Sequence, residues 1–309
     1  MGKLYLAVAF FLAGSSIVTA GYVSSYLPPA ITTFLSLLVA SLTALAVCGR
    51  KMFRLIFGLS PRQWLLFCLQ ALFGIFLFRL FLTEGLKYLG SAEAGIITGA
   101  IPALTAVFAR LILKDKISRR AMAGIALTML GVMLVKGFPE LNAKNFNVIG
   151  LVLILAAAAG EALFTTLARL FQVADKNEFP PTIQAGLVST LAMLMCLGPA
   201  LMENAWAALP SLPPLVWLAI VWYGSVVTVV SFAFMYAGAK RCDGYTLAAF
   251  SGLIPLSSLV LAGLLLGETI SFSQLLGCFC VVAATLILAG RPRTARPRPL
   301  ADEIKTRQA

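Results

Sequence analysis

An internal duplication constrains the fold of this chain more than any other feature of its sequence. The stretch 101–137 reads IPALTAVFARLILKDKISRRAMAGIALTMLGVMLVKG, and it returns at 254–290 as IPLSSLVLAGLLLGETISFSQLLGCFCVVAATLILAG, at a constant offset of 153 residues. Each copy predicts two apolar helices joined by a short polar turn. A repeat of this kind has to be recognised before an architecture is assigned, because each copy is one structural unit.

The composition places the repeat in a membrane. The chain is 60% hydrophobic and 12% charged, with a mean hydropathy of +0.95, whereas soluble domains are about half apolar and about a quarter charged. A helix that crosses the hydrocarbon core needs about 20 apolar residues. Ten segments qualify: 4–22, 29–48, 63–85, 93–113, 119–137, 147–169, 181–202, 214–239, 245–266 and 271–290.

Positive charge is distributed unevenly over the two sides that these segments define. With a cytoplasmic N-terminus, 19 of the 24 Lys and Arg residues lie in cytoplasmic connections and tails, and three lie outside. Arg79 and Arg110 complete the count within helices. Cytoplasmic loops carry an excess of Lys and Arg, so both termini are predicted to be cytoplasmic.

Five segments per half is an odd number, so the second copy must enter the membrane in the opposite orientation. The turn 114–120 is then cytoplasmic and its counterpart 267–273 is external. The four basic residues of the first turn are replaced by uncharged residues in the second, which agrees with this sidedness. The sequence predicts an all-α membrane protein with ten transmembrane helices in two inverted five-helix repeats around a central cavity.

Three regions follow from the repeats. Residues 1–138 form the first five-helix repeat, residues 147–290 form the second, and residues 291–309 form a basic cytoplasmic tail that is expected to be disordered because it has little to bury. Lys3 and the apolar run after it resemble a signal peptide, but cleavage would remove one helix from a matched set.

The order of several motifs resembles a known family. Gly14-Ser15 lies in the first helix, Pro28-Pro29 opens the second, and an Ile-Pro pair followed by an acidic turn lies in the fourth and the ninth. Over residues 4–290 this pattern resembles the EamA branch of the drug/metabolite transporter superfamily. The resemblance implies a secondary transporter, often an exporter of amino acids, metabolites or drugs, in the inner membrane of a bacterium. Ala13 and Ser36 depart from it, where the family commonly has Trp and Arg.

Other functional classes find little support. The chain has no His, its six Cys residues show no metal-ligand spacing, and no phosphate-binding loop appears, so no cofactor or metal is predicted. Nucleic acid is not an expected partner, because the basic residues sit in short turns between apolar runs. The expected partners are a small-molecule substrate and the lipid bilayer, and three modes of coupling stay open: a coupling proton, exchange, or none. The alternative, a membrane-embedded enzyme acting on a lipid or apolar substrate, would need a catalytic cluster at membrane depth, so the sequence predicts no enzyme.

Glu161 is the most informative single residue. It lies 14 positions into the sixth helix, about 21 Å along the axis from its external end, where a carboxylate is costly and is expected to face the bundle interior or water. Thr165 lies one turn on, and the repeat-mate Ser15, next to Gly14, is expected near it across the pseudo-twofold axis. The carboxylate either binds an amino group or carries the coupling proton, or it is structural and pairs with Arg169.

Further candidates lie in the third, fourth, eighth and ninth helices. Arg79 either binds a substrate carboxylate through its guanidinium fork or snorkels to the surface; α-helical geometry places Gln70 and Gly74 nearly opposite it. Transporters built from inverted repeats bind substrate where Gly or Pro interrupts helices, although close packing is the alternative. The candidate transport path is Glu161, Ser15, Gly14, Thr165, Arg79, Gln70, Thr98, Gly99, Pro102, Trp222, Tyr223, Ser251 and Pro255.

The inverted topology can be tested by labelling from one side. With Lys116→Cys or Thr269→Cys as the single cysteine, a membrane-impermeant maleimide added to intact cells should label position 269, and should label position 116 only after permeabilisation. The physical reason is that the positive-inside rule places the two turns on opposite sides. Labelling of both positions from the same side would contradict the inverted repeat.

Overall fold

The computed structural model describes residues 1–112, 119–134, 147–174, 180–239, 241 and 250–289, and every regular element within these ranges is helical. The helices are α1 (Gly2–Ser24), α2 (Pro29–Phe57), α3 (Pro61–Gly85), α4 (Ser91–Ile112), α5 (Arg119–Leu134), α6 (Val148–Ala174), α7 (Pro181–Met202), α8 (Pro214–Gly238), α9 (Leu253–Leu266) and α10 (Phe272–Ala289). Seven of them are long and apolar enough to cross a membrane, and α5, α9 and α10 contribute shorter apolar helices. The predicted all-α membrane class is confirmed.

Observed and predicted helix bounds agree closely, except in α2, α6 and α9. Helix α6 runs five residues past its predicted end at 169, and α9 begins at Leu253, whereas its predicted start at 245 lies outside the described residues. The sequence predicts a helix over 29–48, whereas α2 reaches Phe57. Gly49 separates the two parts, since its φ of 46° lies in the left-handed region that favours glycine, and the apolar span ends there as Pro29–Gly49. The turn at 114–118, the connection at 135–146 and the tail 291–309 lie outside the described residues.

Local sequence accounts for half of the ten described helix starts. Proline occupies the first position of α2, α3, α7 and α8, where its missing N–H is no loss. Ser60 and Gln63 form a capping box at α3, and Ser271 and Gln274 exchange equivalent bonds at α10, so free backbone N–H groups are satisfied. The residues preceding α2 and α4 supply no such side-chain cap.

Both α3 and α8 contain a π-helical segment. It spans Leu72–Leu77 in α3 and Trp222–Val230 in α8, and the first range falls within the second when the offset of 153 residues is applied. π-Helical turns are rare, bond residue i to i+5, and change which residues share a helix face. The two halves of the chain are therefore distorted at corresponding places.

The helices exchange contacts in corresponding pairs. In the first half, α1 packs on α8 and α9; in the second, α6 packs on their counterparts α3 and α4. The counterparts α2 and α7 pack on each other, as do α5 and α10. Each half thus completes its core with helices of the other, and neither half encloses the bundle centre alone.

Close backbone approach between α8 and α2 depends on Gly224, and this can be tested by adding one methyl group. A Cβ at Gly224 would overlap the carbonyl oxygen of Ser36 and lie 2.7 Å from Cβ of Val39. Gly224→Ala should lower the free energy of unfolding by about 1–3 kcal/mol, as overpacking does, measured as a drop in melting temperature in detergent. Val221→Leu, which adds a carbon on an exposed face of the same helix, is the control and should leave it unchanged. Equal melting temperatures for both variants would contradict this packing.

Candidate functional site

A cavity of about 730 Å³, counted to its open mouth, lies at the centre of the bundle. Three helices of the first half (α1, α3, α4) and three elements of the second (α6, α8, α9) contribute to its walls. Most of the lining is apolar, with Phe10, Ile17, Ile75, Phe78, Val227 and Phe232. Ligand pockets for small molecules are likewise mostly apolar, with a few polar groups that fix orientation.

On α8 the wall of the cavity reaches Met235, near the end of the bundle at which α1 begins (the Met1 end). There α1 and α8 run antiparallel, since Ser231 donates a hydrogen bond to the carbonyl of Ala9 at 2.9 Å and the rings of Tyr5 and Phe234 stack at 5.6 Å. The walls use α1 only as far as Ile17. Toward the opposite end, at which α1 ends (the Ser24 end), apolar packing closes the centre with Ala20, Tyr223, Val227 and Leu86.

Arg79 lies in the wall of the cavity and is 4% exposed. Its Nη1 donates to the hydroxyl of Ser36 at 2.6 Å, its Nη2 donates to the hydroxyl of Thr228, and its Cζ lies 3.9 Å from the ring centroid of Tyr223. A buried cation is tolerated only with such compensation, and a cation over an aromatic face is stabilised by the ring quadrupole. Arg79 therefore points into the bundle and does not snorkel.

Glu161 lines the same cavity from α6. Within the described part of the chain, its carboxylate makes no hydrogen bond and no ion pair; the hydroxyl of Thr165 donates to its backbone carbonyl at 3.0 Å. Arg169 is the alternative ion-pair partner that the sequence predicts for Glu161, and its side chain is not among those that the structure describes. A carboxylate and a guanidinium thus border one apolar cavity and are not joined to each other by an ion pair.

Comparison with known proteins identifies the family. The profile of the EamA-like transporter family matches residues 1–137 and 148–290. The chain belongs to this family. It is similar to the uncharacterized transporter YetK of Bacillus subtilis (strain 168), with 28% identity over 306 residues, 96% of this chain and 89% of YetK.

Two further likenesses agree with this family. A probable amino-acid metabolite efflux pump of Salmonella typhimurium is 25% identical over 199 residues, 63% of this chain and 66% of that protein. A solved crystal structure superposes with a TM-score of 0.65 at 22% identity, covering 93% of this chain and 95% of that one, and so shares the fold. The EamA-like family and its apolar helices make this chain a multi-pass membrane transporter.

The cavity of this EamA-like transporter gathers only part of the predicted path. Arg79, Glu161, Thr98 and Tyr223 line it, whereas Gly14, Ser15, Gln70, Gly99, Pro102, Thr165, Trp222, Ser251 and Pro255 are not among its lining residues. Ser16, the neighbour of Ser15, lies on the cavity instead. The hydroxyl of Ser15 accepts a bond from Nε1 of Trp222 at 3.3 Å, so Ser15 serves a contact between α1 and α8 and is not a cavity residue.

Several of the remaining candidates pack helices together. A Cβ at Gly14 would collide with the side chain of Ser257, and a Cβ at Gly99 would lie 3.3 Å from Cγ of Pro255. The Gly and Pro interruptions of the two halves therefore meet, and their place is a helix contact beside the cavity. Gln70 is fully buried and accepts a bond from Nε2 of Gln184 at 3.2 Å, which joins α3 to α7.

The α-helical geometry assumed from sequence was wrong for α3. At about 100° per residue it places Gly74 and Arg79 on nearly opposite faces. Both line the cavity, because the π-helical segment Leu72–Leu77 brings residues five apart toward one face. Thr228 and Ser36 were also missed as partners of Arg79, since their spacing in sequence carries no signal of that contact.

Two hydroxyls beside Arg79 should respond oppositely to removal. Among the residues that the structure describes, the hydroxyl of Tyr223 is buried without a hydrogen-bond partner, so Tyr223→Phe should keep or raise the melting temperature. The hydroxyl of Thr228 accepts from Arg79 and donates to the carbonyl of Tyr223 at 2.7 Å, so Thr228→Val should cost about 1–3 kcal/mol. Thermal unfolding of both purified variants checks this, and an equal loss in Tyr223→Phe would contradict the described contacts.

Proposed function

We propose that this EamA-like chain is a secondary-active transporter that exports a small metabolite, amino acid or drug-like compound by alternating access. Glu161 binds the amino group of the substrate or carries the coupling proton, and Arg79 binds a substrate carboxylate. The observation that carries this proposal is the placement of one carboxylate and one guanidinium on the wall of a single apolar cavity. Charged side chains inside a membrane bundle mark substrate and proton pathways.

The helical arrangement supports alternating access by two inverted five-helix repeats. The cavity is bordered by helices of both halves and is closed toward one end of the bundle. Matching stretches of family profile, corresponding π-helical segments and corresponding helix pairs accompany the sequence duplication. Inverted-repeat transporters place the substrate at the interface of the repeats and rock one half against the other.

The chemistry of the cavity favours an organic solute over an inorganic ion. Its walls are largely aliphatic and aromatic, and the two charged groups are of opposite sign. An arginine fork suits a carboxylate, and an unpaired carboxylate suits an ammonium group, so a solute with an amino group, an acid group and an apolar body fits both. The similarity to a probable amino-acid metabolite efflux pump of Salmonella typhimurium supports the same class of solute.

The charge distribution supports a location in the inner membrane of a bacterium with both termini cytoplasmic. In that orientation 19 of 24 basic residues are cytoplasmic, and the Met1 end of the cavity faces the cytoplasm. An exporter at rest would then collect its substrate from inside. The named relatives are transporters of bacteria, which supports a carrier and not an enzyme.

Glu161→Gln tests the proposed role of the carboxylate in reconstituted vesicles. Candidate solutes, beginning with apolar amino acids, are loaded inside, and their pH-dependent exchange is followed with radiolabel. The variant should fold and insert normally but transport about ten- to a hundredfold more slowly, since a hydrogen bond to a charged group contributes about 1.5–3 kcal/mol. Its rate should also lose the pH dependence of the parent protein.

The matched control is Glu84→Gln. Glu84 is a surface carboxylate that pairs with Lys87 of the same segment at 2.6 Å and does not border the cavity, so this variant should transport at the parental rate. Unchanged transport by Glu161→Gln at every pH would refute the role given to Glu161. Absence of transport of every solute by the folded parent protein would refute the transporter proposal itself.

A further inference from the structure

Two glutamates at the Ser24 end bind backbone N–H groups of distant helices. Both oxygens of Glu203, just after α7, accept bonds from the first free N–H groups of α2, Ala30 at 3.0 Å and Ile31 at 2.7 Å. Both oxygens of Glu268, just after α9, accept bonds from the first N–H groups of α4, Ser91 at 2.8 Å and Ala92 at 2.9 Å. Each carboxylate is thus bidentate on one helix N-terminus, where its charge also complements the helix dipole.

The sequence leaves these two helix starts open to a distant partner. The N-cap residues Pro28 and Gly90 supply no side-chain bond, although Ser, Thr, Asp or Asn at that position would satisfy the same N–H groups locally. A Cβ at Gly90 would lie 3.0 Å from Oε2 of Glu268, so a larger residue would press on the carboxylate. Gly267, at φ 67°, ends α9 in the left-handed conformation and turns the chain toward Glu268.

Both carboxylates join the two halves of the chain at the end where the cavity is closed. Glu203 and Glu268 belong to the second half, and α2 and α4 belong to the first. Hydrogen bonds from backbone N–H groups to a carboxylate are short and strong. These bonds must break if the halves are to separate at the Ser24 end. Opening at the Met1 end does not require them to break.

We propose that Glu203 and Glu268 are the gate residues of the Ser24 end, holding the transporter closed there by binding the N-termini of α2 and α4. The inference rests on alternating access as proposed above and goes beyond it by assigning the contacts that one half of the cycle must break. A conformational equilibrium shifts only through contacts that differ between its two states. These contacts exist in the closed state alone.

Accessibility from the Ser24 end tests the gate without any substrate. In a variant with all native cysteines replaced, Ala20→Cys places a reporter in the apolar packing between the cavity and that end, where Ala20 is fully buried. A membrane-impermeant maleimide is applied from the Ser24 side, and the labelling rate is measured. Glu203→Ala with Glu268→Ala should raise the rate about tenfold, which corresponds to about 1.4 kcal/mol in the closed–open equilibrium.

Glu84→Ala is the matched control. It removes a carboxylate at the same end whose ion-pair partner, Lys87, lies three residues away along the same segment, so the labelling rate should not change. A second reporter, Ala9→Cys near the Met1 end, detects general loosening. A rise at both reporters together with a lowered melting temperature would show that the glutamates are helix caps only, and would overturn the gate. An unchanged rate at Ala20→Cys in a folded double variant would overturn it too.

Cross-linking tests the gate if the variant with Glu203→Ala and Glu268→Ala does not fold. Ser91→Cys with Glu268→Cys, joined by a short reducible bis-thiol reagent, should stop transport, and reduction should restore it. Transport at the parental rate while cross-linked would overturn the gate. The labelling result is independent of transport, so a protein that labels as expected but moves no solute refutes the transporter proposal and leaves the gate standing.

Discussion

The hydrocarbon core of a membrane offers no hydrogen-bond partner to the backbone, and this constraint accounts for most features of the fold. Every N–H and C=O at membrane depth must be satisfied within the protein, so the described part of the chain is helical throughout its regular elements. The departures from the α-helix in α3 and α8 border the cavity. The π-helical segments of α3 and α8 and the contact of Gly99 with Pro255 lie at the centre of the bundle.

The same constraint explains the treatment of charge. Arg79 is held by two hydroxyls and an aromatic ring and not by a carboxylate, so its net positive charge remains available to the cavity. Glu161 has no bonded partner within the described residues and borders the same space. An ion pair between them would neutralise both and leave little for a solute to bind. Their separation leaves one carboxyl group and one guanidinium group on the wall of a largely apolar site.

Sequence reasoning succeeded where a single pattern is repeated over many residues. The apolar segments and the helix starts at proline are signals of this kind, and the interior placement of Glu161 follows from the cost of an exposed carboxylate in lipid. It failed where a local irregularity changes the helical periodicity. The π-helical segment of α3 places Gly74 on the same side as Arg79, and the residue types in Leu72–Leu77 do not predict a π-helical segment.

Contacts between distant residues were equally out of reach of the sequence. That Ser15 lies near Glu161 stays a prediction, because a pseudo-twofold relation between repeat-mates fixes only the corresponding positions and not their separation. The partners of Arg79, and the pairing of Glu203 and Glu268 with helix starts 172 to 177 residues away, depend on how whole helices pack. Such contacts require the assembled bundle.

The hydroxyl of Thr228 makes two hydrogen bonds. It donates to the carbonyl of Tyr223, five residues earlier in the π-helical segment, and accepts from the guanidinium of Arg79. Arg79 in turn rests on the ring of Tyr223, so cation, hydroxyl, carbonyl and ring form a closed circuit. A solute that displaces the guanidinium of Arg79 would therefore also disturb the π-helical turn of α8. Binding in the cavity would in this way be coupled to the backbone conformation of the second half of the chain.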